Sequence, residues 1–171
     1  MIVRIMSYIG LFITLIAIQV ILLNHIQWNG YVNPYIYILF VMLLPMETPN
    51  WAVLLLGFFT GLIVDMFGNT SGLHAGATTL MAFARPGILK IIAPRDGYEP
   101  DTPFIPQRMG LNWFLAYVSM LTVIHHFFYF YVEVFRFSEF FQTLLKTLIN
   151  SAITIVLIVI GIYLFGKNSK S

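Results

Sequence analysis

The feature that most constrains this chain is its series of long apolar runs, interrupted only by short polar turns. Residues 5–23 and 111–131 hold no Asp, Glu, Lys or Arg, and residues 140–165 hold only Lys146. A helical run of roughly 20 apolar residues matches the hydrocarbon thickness of a bilayer, and a helix satisfies its own backbone N–H and C=O groups where water is absent. In water the same runs would need a charged shell, which 9 Lys and Arg with 7 Asp and Glu across 171 residues cannot supply. The mean hydropathy of +0.86 points the same way. The expected fold is all-α: a polytopic membrane protein with the lipid bilayer as its solvent and no soluble domain.

Counting against that length predicts a six-helix transmembrane bundle in a single integral membrane domain, 1–171, with spans near 5–23, 34–46, 51–67, 72–92, 111–131 and 140–165. Asn33 suits an N-cap and Pro34 the first turn of the second span. Pro45 and Pro49 bracket the next turn, and Gly68-Asn69-Thr70-Ser71-Gly72 reverses the chain. Pro86 removes a backbone donor and predicts a kink or an end within the fourth span. Residues 94–108 contain Arg95, Asp96, Glu99, Asp101 and several prolines, and read as an exposed loop without a packed core. Residues 1–23 superficially resemble a secretory signal. The run is too long for one, and Asn24-His25-Ile26-Gln27-Trp28 lacks the small-x-small cleavage pattern, so a retained span is expected.

Short loops rich in Lys and Arg stay cytoplasmic. With six spans and the amino terminus inside, Arg4, Lys90, Arg95, Arg108, Lys167 and Lys170 fall inside, Arg136 is the exception, and both termini are cytoplasmic. A re-entrant 34–46 would leave five spans and put 94–108 outside, against the rule. Trp28, Tyr31, Trp51, Trp113, Tyr129 and Tyr131 sit near span ends, where amphipathic rings favour the headgroups. The net charge of +2 is scattered, which argues against a nucleic-acid partner. Without cysteine there is no disulfide, thiolate metal site or thiol nucleophile.

Ionisable groups at membrane depth are costly unless they face protein or water, so they are the informative residues here. Gly57, Gly61 and Asp65 recur every fourth residue along one helical face, which must meet another helix. Gly72 and Gly76, with Ala75 and Ala77, allow close approach just after the turn, and His74, Thr78, Met81 and Arg85 form a second stripe. Asp65 and His74 share one depth, whereas Arg85 lies more than two turns away, out of reach of Asp65. The first reading of Asp65, His74, Arg85, His125 and His126 is a buried polar network that fixes helix packing, with a proton or ion path second. A metal site is disfavoured. His125 and His126 diverge by about 100° on a helix, and His-x-x-x-His spacing is absent. His25 reads as interfacial. No cofactor is implied, and no intramembrane-protease motif or Gly-rich phosphate loop occurs, so no catalytic residue is expected.

The segment Gly57-Phe58-Phe59-Thr60-Gly61-Leu62-Ile63-Val64-Asp65, followed by Gly72-Leu73-His74-Ala75, resembles the hallmark of the rod shape-determining MreD family. The agreement extends to Gln19, Val20, Leu22 and Asn24, to Asn33-Pro34-Tyr35, Leu44-Pro45, Arg85-Pro86 and His125-His126, and so covers nearly the whole chain. Arg95-Asp96-Gly97-Tyr98-Glu99 looks most like the Bacteroidota branch. The resemblance implies a non-catalytic scaffold of the cell-elongation (rod) complex in the cell inner membrane, working with the bitopic MreC, the MreB cytoskeleton and peptidoglycan synthases. It further implies a fold similar to the membrane S-subunits of energy-coupling-factor transporters. The alternative is therefore the substrate-binding membrane subunit of a vitamin transporter, with Asp65, His74, His125 and nearby tyrosines lining a pocket. On the scaffold reading, Gly57 and Gly61 are expected to lie in a groove that receives the MreC transmembrane helix; the alternative is that these small residues serve only internal packing.

Overall fold

The computed structural model describes residues 2–25, 32–99 and 102–165. Trp28, Tyr31, Asp101, Lys167 and Lys170, and the side chains of Arg4 and His25, lie outside the described residues. Among the described residues the chain is all-helical, and four helices are long and apolar enough to cross a membrane: Ile5–Leu22, Asn50–Gly68, Leu111–Val134 and Phe140–Leu164.

The helices follow in order as α1 (Ile2–Ala17), α2 (Leu39–Met42), α3 (Asn50–Gly68), α4 (Leu73–Ile91), α5 (Pro106–Met109), α6 (Leu111–Val134) and α7 (Phe140–Phe165). The end of the bundle holding the α3–α4 turn and the α6–α7 turn is called upper, and the end holding residues 45–49 and 92–110 lower. α1 does not finish as an ordinary helix: it widens into a π-helical turn at Ile18–Leu22 and tightens into a 3-10 turn at Leu23–His25. The widened turn buries the side chain of Gln19 completely.

The expected second span is the largest departure from a regular helix. Only a 3-10 turn, Ile36–Ile38, and the single turn of α2 form between residues 34 and 46. Tyr37, Ile38, Val41 and Met42 are wholly buried, so this segment is wrapped by protein. It descends from the level of His74 and His125, which Tyr37 touches, to that of Arg85, which bonds Leu44.

α3 and α4 are antiparallel and closely packed because glycine removes the side chain between them. A Cβ on Gly61 would sit 2.6 Å from the Ala75 Cα, and one on Gly57 would sit 3.0 Å from the Ala82 Cβ and 3.2 Å from the Thr78 carbonyl oxygen. The turn between them needs left-handed backbone at Asn69 (φ 50°) and Gly72 (φ 82°), conformations those two residue types tolerate best. Pro86 neither ends nor divides α4, which runs unbroken to Ile91.

The 94–108 stretch corrects the expectation of a loop without a core. Phe104 is 2% exposed and lies between the rings of Tyr98 (5.8 Å), Trp113 (5.6 Å) and Tyr117 (5.7 Å). The Tyr98 hydroxyl donates to the Leu89 carbonyl at 2.7 Å, and the Trp113 indole donates to that of Ile92 at 2.9 Å. Aromatic residues inside a polar-looking loop thus close the lower end of the bundle.

Candidate functional site

A short helix enclosed by protein leaves the bonding groups at its ends in the interior, away from water. Segment 33–45 meets this need with side chains borrowed from its neighbours. At its upper end, Gln19 Oε1 accepts from the Ile36 N–H (3.0 Å) while Gln19 Nε2 donates to the Pro34 carbonyl (3.2 Å) and to Asn24 Oδ1 (2.9 Å). The Asn33 N–H donates to Asn150 Oδ1 (2.5 Å) and the Tyr35 N–H to Thr154 Oγ1 (3.1 Å), both on α7. At the lower end, the Tyr117 hydroxyl donates to the Met42 carbonyl (2.9 Å) and the Arg85 guanidinium to that of Leu44. Arg85 Nε also donates to the Tyr117 hydroxyl (2.9 Å), and its Cζ lies 5.4 Å from the Phe104 ring centroid. A cation beside the last carbonyls of a helix is favoured by the local dipole.

Between these ends, the Tyr37 hydroxyl gathers three partners: His74 Nδ1 (3.0 Å), Thr78 Oγ1 (3.0 Å) and His125 Nε2 (2.8 Å). Thr78 already donates to the His74 carbonyl (2.7 Å), so Tyr37 donates to Thr78 and accepts from the two imidazole N–H groups. His125 Nδ1 is then the unprotonated nitrogen, and it is buried with no bonding partner among the described residues. His126 donates from Nδ1 to the Thr122 carbonyl (2.9 Å) and accepts at Nε2 from Thr154 (3.1 Å). The neighbouring histidines therefore serve separate tasks, as their divergence on the helix requires.

Asp65 touches His74 through the backbone rather than the ring. Its Oδ1 accepts from the His74 N–H (3.1 Å) and from the Thr70 hydroxyl, and its Oδ2 accepts from the Ala75 N–H (2.8 Å). The carboxylate thus satisfies the first donors of α4 from a neighbouring helix, in the place an N-cap side chain would take. Asp65 and Arg85 do not meet; Arg85 is spent at the other end of the bundle.

Gly57 and Gly61 face α4 and are buried against it, which fits the expectation of packing between helices of this chain and not that of a groove for a partner helix. A Cβ on Gly76 would meet only the edge of the Phe128 ring at 3.0 Å, and one on Gly72 would meet nothing within 4 Å, so Gly72 is needed for its backbone angle alone. Two recesses of contrasting chemistry bear on function. An upper cavity of about 320 Å³ is lined by polar residues including Asn24, Tyr35, His74, Tyr129 and Glu133. A lower apolar groove of about 580 Å³ runs between α1, segment 33–45 and α7, with Leu11, Leu39, Leu157 and Gly161 among its walls.

Reading residues singly missed Tyr37, Tyr117, Asn150 and Thr154. Thr143, Thr147, Asn150, Ser151 and Thr154 are all buried and recur at three- and four-residue steps on one face of α7, a periodicity visible in the sequence. No group of three or more His, Cys, Asp or Glu able to hold a metal ion occurs among the described residues. Comparisons with protein-family models, curated proteins and solved structures found no match.

Proposed function

We propose that this chain is a non-catalytic membrane scaffold of the MreD type. It crosses the cell inner membrane six times with both termini cytoplasmic, and regulates cell shape and lateral peptidoglycan synthesis by binding MreC within the membrane. The observation that carries the reading is where the family-like residues sit. Gln19, Pro34, Leu44, Arg85, His125, Gly61, Asp65 and His74 either hold segment 33–45 in place or join α3 to α4. Polar groups at membrane depth are thereby used to build a fixed shape. Among the described residues no hydrogen bond links the His125 cluster to the Tyr117–Arg85 cluster, which lie a rise of about 12 Å apart along α6. This arrangement favours a scaffold over an ion or proton conductor.

Six crossings are supported by the same geometry. Segment 33–45 is too short, and α4 with His74, Thr78 and Arg85 too polar, to stand alone in lipid, yet both run between the upper and lower ends. With Gly57 and Gly61 enclosed, a partner helix needs another surface, and the groove beside Gly161 is open. A Cβ on Gly161 meets nothing within 4 Å, so a side chain starts into open space there and Gly161→Leu is expected to fill the groove. This variant should reduce recovery of co-purified MreC at least tenfold while staying folded; undiminished recovery would exclude this groove as the docking surface. The upper cavity favours a second reading, the vitamin-binding subunit of a transporter. Depletion in a native host followed by microscopy separates the two. Loss of rod shape that supplementation does not relieve supports the scaffold, and a nutrient requirement with normal shape supports the transporter.

A further inference from the structure

The upper cavity has features that packing alone does not require. Its walls come from the π-helical turn of α1 (Val20, with Leu23 and Asn24 just beyond), from Asn33 and Tyr35, from the α3–α4 turn, and from Tyr129 and Glu133 of α6. π-helical turns concentrate at functional sites. His74 lines the cavity, is only 4% exposed, and has its Nδ1 engaged by Tyr37; no described residue bonds its Nε2. With Nδ1–H donated to Tyr37, that nitrogen presents a lone pair. Glu133 adds carboxylate oxygens, of which Oε2 pairs with Lys146 Nζ at 3.0 Å. Asp65 lies directly behind His74 and Thr70 and has no cationic partner among the described residues. Two carboxylates against one ammonium leave the surroundings of the cavity with a negative surplus. Tyr35 and Tyr129 also line the cavity, their ring centroids 4.8 and 4.5 Å from that of His74. Acceptor atoms and negative charge in an aromatic-lined recess suit a cation with N–H donors.

We propose that this cavity binds a primary ammonium group, carried either by a small free amine or by an ethanolamine lipid headgroup, with His74 Nε2 and Glu133 accepting its N–H bonds. The inference does not depend on the scaffold reading, since it concerns the cavity and not the partner groove. The test measures thermal unfolding of the full chain in nanodiscs. The three conditions are phosphatidylcholine alone, phosphatidylcholine with millimolar ethanolamine, and a phosphatidylethanolamine mixture. Occupancy raises Tm by about 3 °C in the condition that supplies the ligand. A rise with ethanolamine identifies a soluble amine, and a rise only with phosphatidylethanolamine identifies the headgroup. Glu133→Gln abolishes the rise, whereas Glu139→Gln, exposed and outside the cavity, retains it. Should Glu133→Gln not fold, Asn24→Leu, which places an apolar side chain in the same wall, takes its place. No rise in either condition, or a rise unaffected by the cavity variants, would overturn the proposal.

Discussion

Segment 33–45 and α7 lie in the same bundle and solve the same problem in opposite ways. α7 has 26 residues and displays Phe141 (82% exposed) and Leu164 (69%) outward. It is about 39 Å long, enough to pass through hydrocarbon with its ends in the headgroups and its own backbone bonds complete. Segment 33–45 has only two short helical turns, exposes almost nothing, and leaves the donors and acceptors at both ends in the interior. Length therefore decides where polar side chains must be placed. A helix as long as the bilayer tolerates a wholly apolar surface, whereas a shorter one demands Gln, Asn, Thr, Tyr and Arg on the helices around it.

The sharpest way to break this contrast is Gln19→Leu, which removes three bonds and leaves the Ile36 N–H and the Pro34 carbonyl unpaired. At ~1–3 kcal/mol for each stranded group, the loss is about 3 kcal/mol. It is read as a lower midpoint in thermal unfolding of the full chain in a fixed detergent. Arg85→Met should cost less, about 1–2 kcal/mol, because the lost Leu44 bond is offset by no longer burying a charge. The Tyr117 bond to the Met42 carbonyl survives that change. Smallest of all is Phe141→Ala on α7, expected to shift stability by no more than ~0.5 kcal/mol, since the ring is exposed and leaves no stranded polar group. A large loss there, in the same assay, would show that α7 is not self-sufficient.

The contrast also explains what the sequence disclosed. Residues 51–67, 111–131 and 140–165 match α3, α6 and α7 to within three residues because long apolar runs have one stable form in lipid. The glycine stripe of α3 was legible as a contact face, since spacing by four places Gly57, Gly61 and Asp65 in line. Its partner was not, because spacing on one helix says nothing about whether the neighbour belongs to this chain or another. Segment 33–45 was misjudged as a continuous helix because its residues are apolar enough; its irregularity depends on bonds to Gln19, Asn150 and Thr154, up to 119 residues away. The aromatic plug was hidden for the opposite reason: charges and prolines around Phe104 masked the ring that the core encloses.

Central to this account is that borrowed side chains, and not the segment's own helicity, keep residues 33–45 in place. Hydrogen–deuterium exchange of the peptide covering those residues tests this most directly, comparing the wild-type chain with Gln19→Leu in the same nanodiscs. The account predicts exchange at least tenfold faster in 33–45, with the amides of α7 from Ile155 to Leu164 unchanged. Equal protection of 33–45 in both proteins would contradict it.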